Sequence, residues 1–237
     1  MLATHFGDDE ILAAINQLKY SGGKRYNVDL VRSEFQKPKK LIKGKWSPSI
    51  DIKNREVLLL ASGPKAKDYK QAIEEYIKLK KPFVMALNTT VNINKGLIDV
   101  FAACNPLKLI ADVDLYKSLS SPLVVPTSLL SNSLKEKFKS LKLLDFGVGV
   151  KENYFEFHKT GAIMPRLFTL VYALSIATSG NASRVLLAGF DGYGSNVKRT
   201  KIVDELMYLY SSAKEAKPII AVTPTSYSVA SSSIYAL

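Results

Sequence analysis

One cysteine, Cys104, stands in the whole chain, so no intrachain disulfide can form and a cysteine-built metal site is excluded. Histidine is almost as scarce. His5 and His158 lie far apart in sequence, so zinc ligation is not expected, and neither a metal nor a cofactor is assigned. A lone cysteine fits a reducing compartment, which makes a cytoplasmic location the expectation. The opening residues Met1-Leu2-Ala3-Thr4-His5-Phe6 have neither a basic region nor an apolar core, and Asp8-Asp9-Glu10 follow at once. They do not read as a signal peptide. Long hydrophobic runs are missing too. The longest, Leu167 to Thr178, is interrupted by Thr169 and Ser175 and is too short to cross a bilayer, so it reads as a buried helix and no membrane span is expected. No G-x-S-x-G elbow, P-loop or G-x-G-x-x-G fingerprint occurs. Acidic residues are in deficit: 33 Lys and Arg face 21 Asp and Glu, for a net charge of +12. Such a balance suits nucleic acid, a membrane surface or phosphorylated small molecules. Its densest run, Lys37, Lys39, Lys40, Lys43 and Lys45, has few interleaved aromatics and no nucleic-acid motif around it. It reads as a solvated linker, and nucleic acid is not an expected partner. The remaining excess is compatible with an anionic substrate such as a nucleotide sugar.

Hydrophobic residues make up 47% of the 237 positions and charged ones 23%, which places the chain among packed globular proteins. Residues 8–20 have the spacing of an amphipathic helix, with Ile11, Leu12, Ile15 and Leu18 on one face and Asp8 or Asp9 as cap. Ser21-Gly22-Gly23 ends it. Residues 27–35 suit a second short helix, and the basic linker closes at Trp46-Ser47-Pro48. Residues 1–50 thus form a helical segment and linker that buries too little to fold alone.

From 51 to 237 the pattern changes. Glu56 to Ala61 is a continuous apolar run of strand length, the kind found where both faces of a parallel sheet are covered. The turn Ser62-Gly63-Pro64 and a helix to about Leu79 follow it. Further strands are predicted at Pro82–Asn88, Ile98–Cys104, Pro122–Pro126, Leu143–Val150, Arg184–Phe190 and Pro218–Thr223. Helices are predicted near 130–139, 165–178 and 200–214. Strands alternating with helices imply right-handed βαβ crossovers. The expected fold is an α/β, doubly wound, mostly parallel Rossmann-like sheet of about six or seven strands with helices on both faces.

In such sheets ligands bind outside the carboxyl ends of the strands. Strand one ends in Ser62-Gly63-Pro64-Lys65, where small residues let backbone N–H groups approach a phosphate and Lys65 adds a point charge. The alternative is a βα turn with glycine for geometry alone. Asn88 and Asn105 end strands two and three. Each amide either meets a ribose or base edge or caps the next helix. His158 follows strand five, with Thr160 and Gly161 placed to open the next helix. It is a candidate general base or a structural histidine. Strand six ends in Gly189-Phe190-Asp191-Gly192-Tyr193-Gly194, where the glycines allow close approach and Asp191 and Tyr193 can meet a hydroxyl or phosphate. An Asx-type turn is the alternative. Strand seven ends in Thr223-Pro224-Thr225-Ser226-Tyr227, whose hydroxyls face the same edge. Cys104 reads first as a buried strand end.

The segments Glu56–Pro64, Ile73–Ile77, Lys81–Asn88, Leu144–Val150, Leu186–Tyr193, Thr223–Thr225 and Ser233–Leu237 together resemble one family. It is the C-terminal domain fused to bacterial HMG-CoA-lyase-like aldolases, often labelled 4-hydroxy-2-oxovalerate aldolases, in surface-polysaccharide gene clusters. The likeness spans nearly the whole chain, and residues 8–35 look like the tail that follows the aldolase barrel. The barrel's own eight strand–helix units are not present in these 237 residues, so lyase activity is not carried over. More distantly, Ser62-Gly63-Pro64-Lys65 and Gly189-Phe190-Asp191-Gly192-Tyr193 are similar to the Gly-Pro-Ser turn and Gly-Ile-Asp-Phe-Tyr strand end of bacterial sialyltransferases and motility-associated glycosyltransferases. Lys65 stands where those have serine. No histidine follows His158, whereas the sialyltransferases place their base after the strand-six motif. That resemblance implies nucleotide-sugar binding, with Asn88 and Asn105 near the nucleotide and Tyr193 near the leaving phosphate.

The expected function is a sugar-nucleotide or sugar-phosphate binding domain of glycosyltransferase-like type in surface-polysaccharide synthesis. The expected catalytic groups are His158, Asp191 and Tyr193. The expected ligand contacts are Ser62, Gly63, Pro64, Lys65, Asn88, Asn105, Thr160, Gly161, Gly189 and Tyr227. An inverting transfer would use His158 as base, with Tyr193, the first-turn backbone and Lys65 on the departing phosphate. The competing expectation is a non-catalytic domain that docks on an aldolase barrel and supports its oligomer, with homo-oligomerisation left open.

Overall fold

The computed structural model describes residues 40–90, 92–194 and 197–237. The helices expected over 8–20 and 27–35, and Lys37 and Lys39 of the basic run, lie outside the described residues.

The apolar runs form strands, as their continuity predicts. Strands β1 (Val57–Leu60), β2 (Phe83–Leu87), β3 (Val100–Ala102) and β4 (Leu123–Val125) are buried throughout. With β5 (Leu143–Asp145), β9 (Val185–Ala188), β10 (Ile219–Ala221) and β11 (Ala230–Ser231) they make an eight-stranded sheet in the order β11-β10-β9-β1-β2-β3-β4-β5. Every pairing in it is parallel. Alternate residues of each strand face opposite layers. Leu58, Leu60, Val84 and Ala86 pack with Ile73, Tyr76 and Ile77 of the helix Lys70–Lys80, and with Leu109, Tyr116 and Leu134 from the helices Pro106–Ala111, Val113–Lys117 and Asn132–Lys137. Val57, Leu59, Met85 and Leu87 pack on the other side with the helices Thr169–Ser179 and Val197–Ser211. The chain is therefore a doubly wound α/β protein of Rossmann-like arrangement. In chain order the helices are α1 (Ser49–Ile52), α2 (Pro64–Asp68), α3 (Lys70–Lys80), α4 (Pro106–Ala111), α5 (Val113–Lys117), α6 (Asn132–Lys137), α7 (Thr169–Ser179) and α8 (Val197–Ser211).

Three features depart from the sequence expectations. The run Leu143–Val150 is two strands. It breaks at the fully buried Phe146, so that β5 closes the main sheet while β6 (Gly147–Val150) enters a second one. The stretch read as leading into a helix at Thr160-Gly161 is instead a hairpin, β7 (Glu156–His158) and β8 (Gly161–Met164), turning at Lys159-Thr160. With β6 it forms a three-stranded sheet in the order β6-β8-β7. This small sheet explains why α7 is apolar all round: α7 is sandwiched between β7–β8 on one side and β2–β3 on the other. Two of its buried hydroxyls are satisfied within the helix, Ser175 donating to the Val171 carbonyl at 2.8 Å and Thr178 to that of Leu174 at 3.0 Å.

The third departure concerns the basic linker. Residues 42–46 dock on the fold. Ile42 bridges Val148, Gly44 N–H donates to the Thr160 carbonyl at 2.9 Å, and Lys45 and Trp46 N–H both donate to the Asp145 carbonyl at 2.9 Å. Gly147 makes this possible, because a Cβ there would sit 1.9 Å from the Ile42 carbonyl oxygen. Lys40, Lys43 and Lys45 thus ride on an ordered edge segment and not on a free linker.

Candidate functional site

The chain leaves β1 toward β2 on one side and fills β9 on the other, so the strand order reverses between β1 and β9. Open parallel sheets leave a crevice outside the carboxyl ends at such a point. Two loops meet there: Ala61–Lys65 after β1, and Gly189–Gly194 after β9.

They are stitched together by main-chain contacts. Gly63 N–H donates to the Gly189 carbonyl at 2.9 Å, and Lys65 N–H donates to Asp191 Oδ2 at 2.7 Å. A Cβ on Gly63 would meet the Gly189 oxygen at 2.3 Å and Asp191 Oδ1 at 2.7 Å, so only glycine fits. Gly189 has a φ of +76° and presents its N–H to Thr223 Oγ1 at 3.0 Å. Asp191 Oδ1 is enclosed and has no partner among the described residues. Asp191 is thus a clamp between the two loops, holding the first turn of α2 through a charge-assisted bond.

Asn88, at the end of β2, adopts a left-handed backbone with φ of 55°, and its N–H donates to the Ala102 carbonyl at 2.9 Å. Its Oδ1 accepts the Thr169 hydroxyl at 3.1 Å, which fixes the amide against the start of α7 and leaves its nitrogen as a donor. Thr169 also touches the Cys104 thiol. Burial pushes that thiol well above its ordinary range, so Cys104 stays protonated at neutral pH and is no nucleophile. Asn105 follows the capping alternative, its Oδ1 3.4 Å from the Lys108 N–H at the start of α4. Asn92, which the sequence did not single out, donates to the Ala61 carbonyl at 3.0 Å and braces the end of β1.

Tyr193 is exposed, and the Arg199 guanidinium lies over its ring at 4.4 Å. Arg199 brings cationic charge to this rim. Its signal in the sequence was its position early in α8, just after the glycine-rich loop. Tyr227 is buried beside them, and its phenol is pushed up, first by burial and then by the nearby Tyr193 and Asp204. Ser226 N–H donates to the Asp191 carbonyl at 3.1 Å, joining the segment after β10 to the same rim. Lys65 directs its ammonium to Asp68 Oδ2 at 3.0 Å on the surface.

His158 is not part of this rim. It lines a cavity of about 550 Å³ together with Thr178 and Asn181 at the end of α7 and Lys217 just before β10. Those residues mark the amino-terminal edge of the main sheet. The reason is the unforeseen hairpin: β7 and β8 run along α7, and the turn between them falls at its far end. His158 Nε2 lies 2.9 Å from Glu156 Oε1. Thr160 and Gly161 belong to the same turn, and the Thr160 carbonyl accepts N–H groups from Gly44 and Gly147. The base role expected of His158 at Tyr193, and the ligand roles expected of Thr160 and Gly161, therefore do not fit this geometry. The rim brings together Ser62, Gly63, Pro64, Lys65, Asn88, Gly189, Asp191, Tyr193 and Tyr227.

No three His, Cys, Asp or Glu side chains gather as metal ligands among the described residues. No helix among them is long and apolar enough to cross a membrane. The fold and its rim define a class, the doubly wound α/β proteins with a switch-point edge built from glycines, amides and hydroxyls. No protein-family model matches the sequence, and no curated protein is detectably similar to it.

Proposed function

We propose that this chain binds a sugar nucleotide or sugar phosphate across the carboxyl ends of β1, β2 and β9. One observation carries this reading: the point where strand order reverses coincides with the loops clamped by Asp191 and Lys65. Phosphate would lie beside the Arg199 guanidinium, because the Gly63 and Lys65 N–H groups are already engaged by Gly189 and Asp191, while the Asn88 amide nitrogen would meet a ribose or sugar hydroxyl. The net charge of +12 favours an anionic ligand. Tyr193 is the exposed phenol available to a leaving phosphate, and any transfer chemistry proceeds without His158. Surface-polysaccharide synthesis, with an aldolase barrel as companion domain, is the setting that the resemblance to the domain fused to aldolases would imply.

Calorimetric titration with CMP-, UDP- and GDP-sugars and with hexose phosphates tests the reading. One of them should bind, and Asn88→Ala and Arg199→Ala should each weaken it by about tenfold, or roughly 1.4 kcal/mol. Absence of binding by every member of the panel, together with stable association with a separately expressed aldolase barrel, would replace it with the accessory-domain reading.

A further inference from the structure

At the amino-terminal edge of the main sheet, the cavity of about 550 Å³ opens between the β7–β8 turn, the end of α7 and the segment that follows α8. Its volume falls in the range of about 300–1,000 Å³ typical of small-molecule sites. Lys159, Lys214 and Lys217 line it, opposed by one lining carboxylate, Glu215. His158 Nε2 lies 2.9 Å from Glu156 Oε1.

These three lysines contrast with five others on the surface. Lys65, Lys70, Lys108, Lys117 and Lys139 each pair with a carboxylate one helical turn away. Among the described residues, none of Lys159, Lys214 and Lys217 does. Like charges lining one hollow repel by an amount that grows as they are drawn from water, so their gathering there needs a reason.

Capping of helix ends does not supply it. The last carbonyls of α7 are already bonded, those of Ile176, Ala177 and Thr178 accepting the N–H groups of Gly180, Ala182 and Asn181. Those of Tyr208 and Tyr210 in α8 accept Ser212 and Ala213.

Lys217 is also held in place. Its backbone N–H donates to the Tyr210 phenol at 3.0 Å, and its ammonium donates to Asn181 Oδ1 at 2.7 Å. The Tyr210 phenol lies 2.6 Å from Thr178 Oγ1 in the buried interior, so the lysine stands on a fixed base. Phe157 lines the same cavity and stacks on Phe155 at 5.8 Å between centroids. The Ser179 hydroxyl, which also lines the cavity, has no partner among the described residues.

We infer that this cavity is a second ligand site, independent of the rim at β1 and β9, for a phosphorylated small molecule of nucleotide size. Its phosphate sits among Lys159, Lys214 and Lys217, and its planar part lies against Phe157. The lysines supply charge-assisted hydrogen bonds, and Asn181 pre-sets one of them.

Amide chemical-shift mapping of the isotope-labelled chain tests this, with inorganic phosphate and AMP as probes. Saturable shifts at 157–159, 178–181 and 214–217 are expected, stronger for AMP and weakened by salt. The exposed pair Lys159→Ala and Lys214→Ala should lower AMP affinity by about tenfold or more with folding intact. Lys217→Ala should do the same and Lys217→Arg should restore part of it. The inference is overturned by an absence of saturable shifts at millimolar probe, by shifts that appear only at 62–65 and 189–193, or by a Lys159→Glu and Lys214→Glu variant that binds AMP as well as the parent. AMP binding no tighter than phosphate removes Phe157 from the site. Failure here leaves the rim proposal standing, because its own variants, Asn88→Ala and Arg199→Ala, lie at the other edge.

Discussion

Asp191 Oδ2 accepts the backbone N–H of Lys65 at 2.7 Å, tying the loop after β9 to the first turn after β1 across 126 positions of sequence. The bond closes the switch point of the sheet. It also decides how the turn after β1 is oriented, since Pro64 starts α2 and Lys65 is the first residue there whose N–H needs an acceptor.

Removing that acceptor should be measurable. Asp191→Ala is expected to cost about 0.5–2 kcal/mol, the range for losing a side-chain cap. The denaturant midpoint reports it, and Asp191→Asn should recover part of the loss because an amide oxygen still accepts. A midpoint unchanged by Asp191→Ala would mean that the clamp is replaced by water.

Gly147→Ala probes the docking of the basic segment. The added methyl would fall 1.9 Å from the Ile42 carbonyl oxygen, so residues 42–46 must move. A cost of about 1–3 kcal/mol is expected, as for other overpacked positions. Trp46, the single tryptophan, packs against the core and donates to Asp51 at 3.2 Å, so its emission should shift to the red as the segment lifts. Unshifted emission would contradict the docking.

Much of the architecture was legible because burial on both faces leaves a plain mark. Val57–Leu60, Phe83–Leu87 and Val185–Ala188 carry no alternation to confuse the reading. The loops ending these strands were found by position alone. What escaped was the three-stranded sheet. Its strands β7 and β8 are only three and four residues long, and β7 is half-buried. Nothing local in Glu156–Met164 separates a hairpin from the approach to a helix, and the partner that decides it, β6, is fixed by the docking of residues 42–46. Missing the hairpin carried His158 to the wrong edge of the sheet. Asn88–Thr169 and Asp191–Lys65 are contacts of long sequence separation, visible only once the strands are in order.

Replacing His158 should therefore leave the rim untouched. His158→Ala is expected to change the affinity for a sugar nucleotide by less than about twofold, within the ±0.5 kcal/mol usual for substitutions away from a site. A tenfold loss of rim binding in the calorimeter would show that the histidine reaches it.

Alkaline pH offers a test of the packing. Burial is the first cause that raises the phenols of Tyr76, Tyr116, Tyr172, Tyr210 and Tyr227 above their ordinary value of about 10. The unfolded chain releases those protons first. Stability is then full below pH about 10 and falls as pH rises beyond it, because the folded state keeps protons that the unfolded state has lost. Unfolding free energy measured across this window should decline, with part of the tyrosinate absorbance appearing only as the fold is lost. Smooth titration of every tyrosine with the fold intact would contradict the burial of these side chains.

The most direct test of the central claim is a map of amide shifts on adding CMP-, UDP- and GDP-sugars to the labelled chain. Binding at the switch point predicts saturable changes at Gly63, Lys65, Asn88, Thr169 and Gly189 to Tyr193, reached only at about tenfold higher ligand on Asn88→Ala. Changes confined to residues 157–159 and 214–217, or none for any sugar nucleotide, would contradict it.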